Sequence, residues 1–173
     1  MGKGYDYVIE SVHAMMAGGE LCYIDWSLEK TQAAIRDHFG GDPYAYAKAY
    51  FRTCAEAYET NPATIMGHPD LLTKFNEKEP DLFDTTDPAY LAAATEAAEA
   101  LVGKVKYFEV NTGAISRGYR TAPYPAPFIM RHLYEKGAKI TIVASYMQNV
   151  HLVQNKNKSY DTTILYEEQN SVG

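Results

Sequence analysis

Three of four short apolar runs in this sequence end on a side chain able to ligate a metal or to act as an acid or base. His13 closes the run 5–13, and His68 follows the run 64–67. Glu109 and Asn111 stand at the end of the run 105–110. Ser145 follows the run 139–144. A neutral imidazole ligates divalent metals, so His13 and His68 are candidate ligands. Glu109 could ligate directly or accept a hydrogen bond that orients a ligand. Asp70, two residues after His68, could orient an imidazole or serve as a turn residue after Pro69. Arg117 and Arg120 lie in a loop with glycines at 113 and 118, which let backbone approach a ligand closely. A guanidinium fork makes two charge-assisted bonds to a phosphate at once, which makes Arg117 the candidate anion binder. Arg120 reads as an ordinary surface arginine, and His38, His132 and His151 as structural or exposed residues.

These side chains need a scaffold that gathers the ends of the runs. The runs are continuous rather than alternating, as expected for strands covered on both faces in a parallel sheet. Helices are expected between them. Ser27 is a natural cap for a helix over 27–39 that Gly40-Gly41 stops, and Asp42-Pro43 starts a second over 43–58. Asp87-Pro88 opens an Ala-rich helix to about 102, and a fourth is expected over 126–135. Strands alternating with helices imply an α/β fold, either a (β/α) barrel or an open doubly wound sheet. Ligands of such folds gather at the carboxyl ends of the strands, where His13, His68 and Glu109 fall.

The chain has 173 residues, 46% hydrophobic and 22% charged, which fits one globular domain. Its formal charge is -6 and no basic run occurs, which argues against nucleic acid and against an anionic membrane surface. No run approaches the length of a membrane helix, and no leader is recognisable, so a cytoplasmic location is expected. Cys22 and Cys54 are expected to be reduced, buried thiols. Residues 1–148 are expected to form the folded domain. The Asn-, Gln- and Lys-rich stretch 149–173 is expected to be a weakly structured tail, with at most a short strand at 162–166. No GxGxxG, P-loop, HExxH or GxSxG pattern is present.

Three blocks carry a resemblance. Tyr5-Asp6-Tyr7-Val8-Ile9-Glu10-Ser11-Val12-His13 resembles the "DYVIGSVH" strand of histidinol-phosphatases of the PHP (polymerase and histidinol phosphatase) superfamily. Gly67-His68-Pro69-Asp70-Leu71-Leu72 with Lys74-Phe75-Asn76 is similar to that family's "GHPDL…KFN" block. Residues 109–125 are similar to its "EVNTGAISRGYRTxPYP" block. The resemblance covers roughly residues 5–145.

It implies a partial, distorted (β/α)7 TIM-like barrel with mainly parallel strands, about four of them in this chain. It implies hydrolysis of L-histidinol phosphate to histidinol and phosphate, a step of histidine biosynthesis. Two or three divalent ions (Zn, Mn or Fe) would serve as cofactors. His13, His68 and Glu109 would be metal residues, Arg117 a catalytic and phosphate-holding residue, and Asn111 a substrate-binding residue. The chain also departs from the family. The HxH strand that opens the family is absent. The late "SDAH" motif reads Ser145-Tyr146-Met147-Gln148 here, which replaces an aspartate and a histidine by poor ligands. The alternative is a noncatalytic remnant, or a fragment that binds a partner, with residual metal or phosphate binding. An open barrel edge beside His13 would invite self-association or a partner chain.

Overall fold

A computed structural model describes residues 7–143. The strands are β1 (Ile9–Glu10), β2 (Ala14–Ala17), β3 (Glu20–Tyr23), β4 (Ile65–Met66), β5 (Tyr107–Asn111) and β6 (Ile140–Val143). The helices are α1 (Leu28–Phe39), α2 (Pro43–Thr60), α3 (Pro88–Leu101), α4 (Gly113–Ser116) and α5 (Pro127–Glu135).

The helix starts are built by the residues whose chemistry suits a cap. Ser27 accepts the Lys30 N–H at 3.2 Å ahead of α1. Asp42 accepts from Tyr44 and Ala45 ahead of α2, and Asp87 accepts from Ala89 ahead of α3. Both acidic caps precede a proline at the first helical position, where the missing N–H costs nothing. Gly40, at φ 63°, ends α1 in the left-handed conformation that a β-carbon would resist.

Four strands form one parallel sheet in the order β1-β4-β5-β6. This matches the expected count and direction. Among the described residues the sheet is open, with β1 and β6 at its edges. Ile9 of β1, and Tyr7 and Val8 just before it, are exposed. The core lies where α2 and α3 cover the sheet. The buried positions of α2, Tyr46, Ala47, Tyr50, Phe51, Cys54 and Tyr58, recur every three or four residues and form one apolar stripe. Tyr90 of α3 meets Phe51 edge-on at 5.6 Å, and Tyr46 stacks on Phe83 at 5.9 Å. Both cysteines are buried and free, as expected, and burial pushes the Cys54 thiol up to about 12. No helix among the described residues is long and apolar enough to cross a membrane.

The first run differs from expectation. Of the run expected over 5–13, the described residues 7–13 do not make one strand; β1 spans only Ile9–Glu10, and the chain then leaves the sheet for the antiparallel β2–β3 hairpin. The cause is Gly18-Gly19. Both residues take positive φ, 59° and 84°, as a tight two-residue hairpin turn requires. The turn pairs Ala17 with Glu20 and Ala14 with Tyr23, and it carries the chain back to His13. Ser145, Tyr146, Gln148, His151, the strand expected at 162–166 and the tail 149–173 lie outside the described residues.

Candidate functional site

The parallel strands β1, β4 and β5 end side by side, and the segments that follow them wall a cleft of about 1000 Å³. His13, His68, Asn111 and Arg117 all line it. Of the residues singled out in the sequence, only Glu109 among the site candidates lies behind the wall rather than in it.

His68 follows β4 directly, and its backbone is unusual. It holds φ 23°, a left-handed conformation rare for a residue with a β-carbon. Its N–H donates to Glu109 Oε2 at 2.7 Å, and Glu109 Oε1 accepts from Asn111 Nδ2 at 3.1 Å. Asn111 Oδ1 in turn accepts the Gly113 N–H at 2.9 Å, which anchors the loop bearing Arg117. Glu109 is buried, and burial raises its pKa against the lowering effect of these two bonds. Both of its oxygens are thus engaged within the fold. Glu109 thereby ties the His68 peptide to the Asn111 side chain.

The residue before His68 is a glycine in close quarters. A β-carbon on Gly67 would collide with Ser11 Oγ and come within 3.3 Å of the Glu10 carbonyl. Gly67→Ala is therefore expected to push β4 from β1 and cost about 1–3 kcal/mol of stability, the usual range for overpacking. A urea midpoint indistinguishable from that of the parent chain would refute the close approach.

His13 stands edge-on to His68, with ring centroids 5.0 Å apart. Its Nδ1 lies 3.2 Å from Asp25 Oδ2. Hydrogen bonding to Asp25 raises the His13 pKa above its ordinary value, and the same bond lowers that of Asp25. His68 is held the other way: burial first, then the neighbouring His13, lowers its pKa to about 4. Its ring is neutral near pH 7, and its Nδ1 is buried without a hydrogen-bond partner.

Two neutral-capable imidazoles at ring contact, one with an orphaned nitrogen and one backed by a carboxylate, fit a single divalent ion whose other positions face water or a ligand. They do not by themselves fit a cluster of two or three ions. Among the described residues no group of three or more His, Cys, Asp and Glu converges.

The cleft is also basic. Lys74, Lys78, Arg117 and Arg120 line it against one lining carboxylate, Asp25, in a chain whose formal charge is -6. Arg117 is exposed on the loop after α4 and lies over the Tyr119 ring at 5.8 Å. Arg120 is not the surface arginine expected. Its side chain is 9% exposed, its Nη1 donates to the Thr73 carbonyl at 2.6 Å, and its guanidinium lies 4.2 Å from the centre of the Tyr124 ring. The Asp70 side chain neither caps the turn after Pro69 nor bonds an imidazole: it is buried, and its Oδ2 accepts the Ala126 N–H at 2.7 Å ahead of α5. Asp25, Lys74 and Tyr124 escaped the sequence reading. Asp25 had one available signal, its place at the end of the returning hairpin. Lys74 had another, its place six residues after His68, in the 3-10 helix Leu71–Phe75.

No family model matches the sequence. A curated protein of Schizosaccharomyces pombe named "Probable histidinol-phosphatase" is 28% identical over 145 residues. The match covers 79% of this chain and 43% of that protein. A solved structure from Listeria monocytogenes, named as a candidate histidinol phosphatase hisK, superposes with a TM-score of 0.62 at 17% identity. It covers 78% of this chain and 50% of that one, and at that identity it speaks for the α/β fold. This chain is thus similar, over about four-fifths of its length, to proteins named as histidinol phosphatases, and it spans about half of theirs.

Proposed function

We propose that the His13–His68 cleft binds a phosphate monoester, L-histidinol phosphate, and hydrolyses it with the help of one divalent ion. The observation that carries this reading is the joint lining of one cleft by two apposed imidazoles and four cationic side chains. The similarity to the Schizosaccharomyces pombe protein supports the choice of substrate.

A monoester is a dianion near neutral pH and repels hydroxide. When bound, a divalent ion supplies charge neutralisation and a more acidic water. The chain's own residues would do the rest. His68, kept neutral by burial, offers a nitrogen lone pair rather than a proton. Arg117, on the loop that Asn111 anchors, offers a planar fork to two phosphate oxygens. Arg120, fixed by Thr73, holds a positive charge beneath the cleft without having to move. Arg117→Ala is expected to raise KM about tenfold and to leave kcat within a few-fold, since it removes binding shared by ground and transition states. A kcat loss with unchanged KM would contradict that role.

The test of the function is release of inorganic phosphate from L-histidinol phosphate by the purified chain with Mn²⁺, Zn²⁺ or Fe²⁺. Release well above a metal-only blank is expected. A second reading, ester binding without turnover, is favoured by one observation, the lack of a third converging ligand among the described residues. Heat of L-histidinol phosphate binding without phosphate release would select it.

A further inference from the structure

His13 sits at the turn out of the sheet, with its side chain about half exposed, a place where an imidazole would normally rotate. Here the fold supplies a stop. The β2–β3 hairpin returns the chain so that the Ile24 N–H donates to the His13 carbonyl at 2.9 Å. The next residue is Asp25, whose Oδ2 reaches His13 Nδ1 at 3.2 Å. Asp25 is itself pinned on both sides. Thr31, fully buried in α1, donates its hydroxyl to the Ile24 carbonyl at 3.3 Å. Lys74 Nζ donates to the Asp25 carbonyl at 2.7 Å and lies 3.6 Å from Oδ2. Three separate elements thus converge to place one carboxylate against one nitrogen of one ring.

We propose that Asp25 is a positioning residue that holds His13 in the tautomer protonated at Nδ1, so that Nε2 keeps its lone pair for a ligand in the cleft. A carboxylate only accepts, so it selects the ring nitrogen that donates. Lys74 keeps that carboxylate charged and stops it from swinging into the cleft. The hairpin then has a functional reason: without the reversal at Gly18-Gly19, residue 25 could not meet residue 13. This inference rests on the reading of His13 as a cation ligand, and nothing in the related proteins' names assigns it.

The tautomer is read directly by ¹⁵N–¹H correlation spectra of the His13 ring in the metal-free chain, at about pH 9, well above the ordinary imidazole value. Expected is a protonated Nδ1 and a bare Nε2. The reverse pattern in the parent chain would overturn the proposal without any variant being made. In Asp25→Asn the amide can donate to Nδ1 instead, so the proton is expected to move to Nε2 and Mn²⁺ affinity to fall about 10–100-fold. Asp25→Glu, which keeps an acceptor, is expected to restore the Nδ1–H form and most of the affinity. An unchanged His13 tautomer in Asp25→Asn, with Mn²⁺ affinity within twofold, would also overturn it. If the parent chain bound no Mn²⁺ yet showed the expected tautomer, the ligand reading of His13 would fail and the positioning by Asp25 would stand.

Discussion

His68→Ala is expected to reduce metal-dependent phosphate release to the level of the metal-only blank, a loss of at least about 100-fold if two ligands become one. His68 is the buried member of the imidazole pair, so solvent does not compete for its nitrogen as it does for His13. Its low pKa, about 4, keeps the ring unprotonated across the whole range in which a phosphate ester is a dianion. Removing it leaves one imidazole and water, a set with little hold on a borderline cation. Alanine would also have to adopt φ near 23°, which costs about 1–2 kcal/mol. His68→Asn separates the two effects, because asparagine tolerates the left-handed region. The asparagine variant is expected to fold as well as the parent chain, by its thermal midpoint, and to be as inactive as the alanine variant. Activity above a third of the parent value in the folded asparagine variant would remove His68 from the machinery.

The second large effect is on stability. Glu109→Ala is expected to destabilise the chain by about 3 kcal/mol. The carboxylate gives acceptors to two donors, the His68 N–H and the Asn111 amide, and a buried donor left without a partner costs about 1–3 kcal/mol. Some of this is returned, because the buried carboxylate is itself poorly solvated, as the rise in its pKa shows. Glu109→Gln is not a rescue. Its amide offers one acceptor, and its NH₂ would face a donor. Both variants should loosen the His68 backbone and the start of the 113–120 loop together. Urea unfolding reads the loss, and a change of less than about 0.5 kcal/mol would show that Glu109 does not hold the site.

The fold was legible wherever a local rule was strong. Ser27, Asp42 and Asp87 announced three helices because each places an oxygen where free N–H groups must be satisfied. The two central parallel strands, β4 and β5, were legible because they are almost wholly buried and so lack a polar alternation, whereas the edge strands β1 and β6 keep exposed side chains. The hairpin was missed although Gly18-Gly19 is a turn signal, because the apolar run before it reads equally well as one longer strand. That His13 and His68 would line one cleft was legible because the strand ends of this fold class point to one rim. Asp25 and Arg120 were not, since their roles depend on contacts between residues far apart in sequence. The Arg120–Thr73 bond spans 47 positions. Glu109 was picked out correctly as a polar residue at a strand end. Its engagement with the His68 peptide depends on the register of β4 against β5, Met66 beside Phe108, which the sequence does not display.

The central claim is that His13 and His68 act together on one cation in one cleft. Titration of the purified chain with Mn²⁺, followed by the electron paramagnetic resonance of the free ion, measures this most directly. About one ion is expected to bind per parent chain, more tightly when L-histidinol phosphate is present, and none in the His13→Ala/His68→Ala double variant. Equal Mn²⁺ binding by the parent chain and a folded double variant would contradict it.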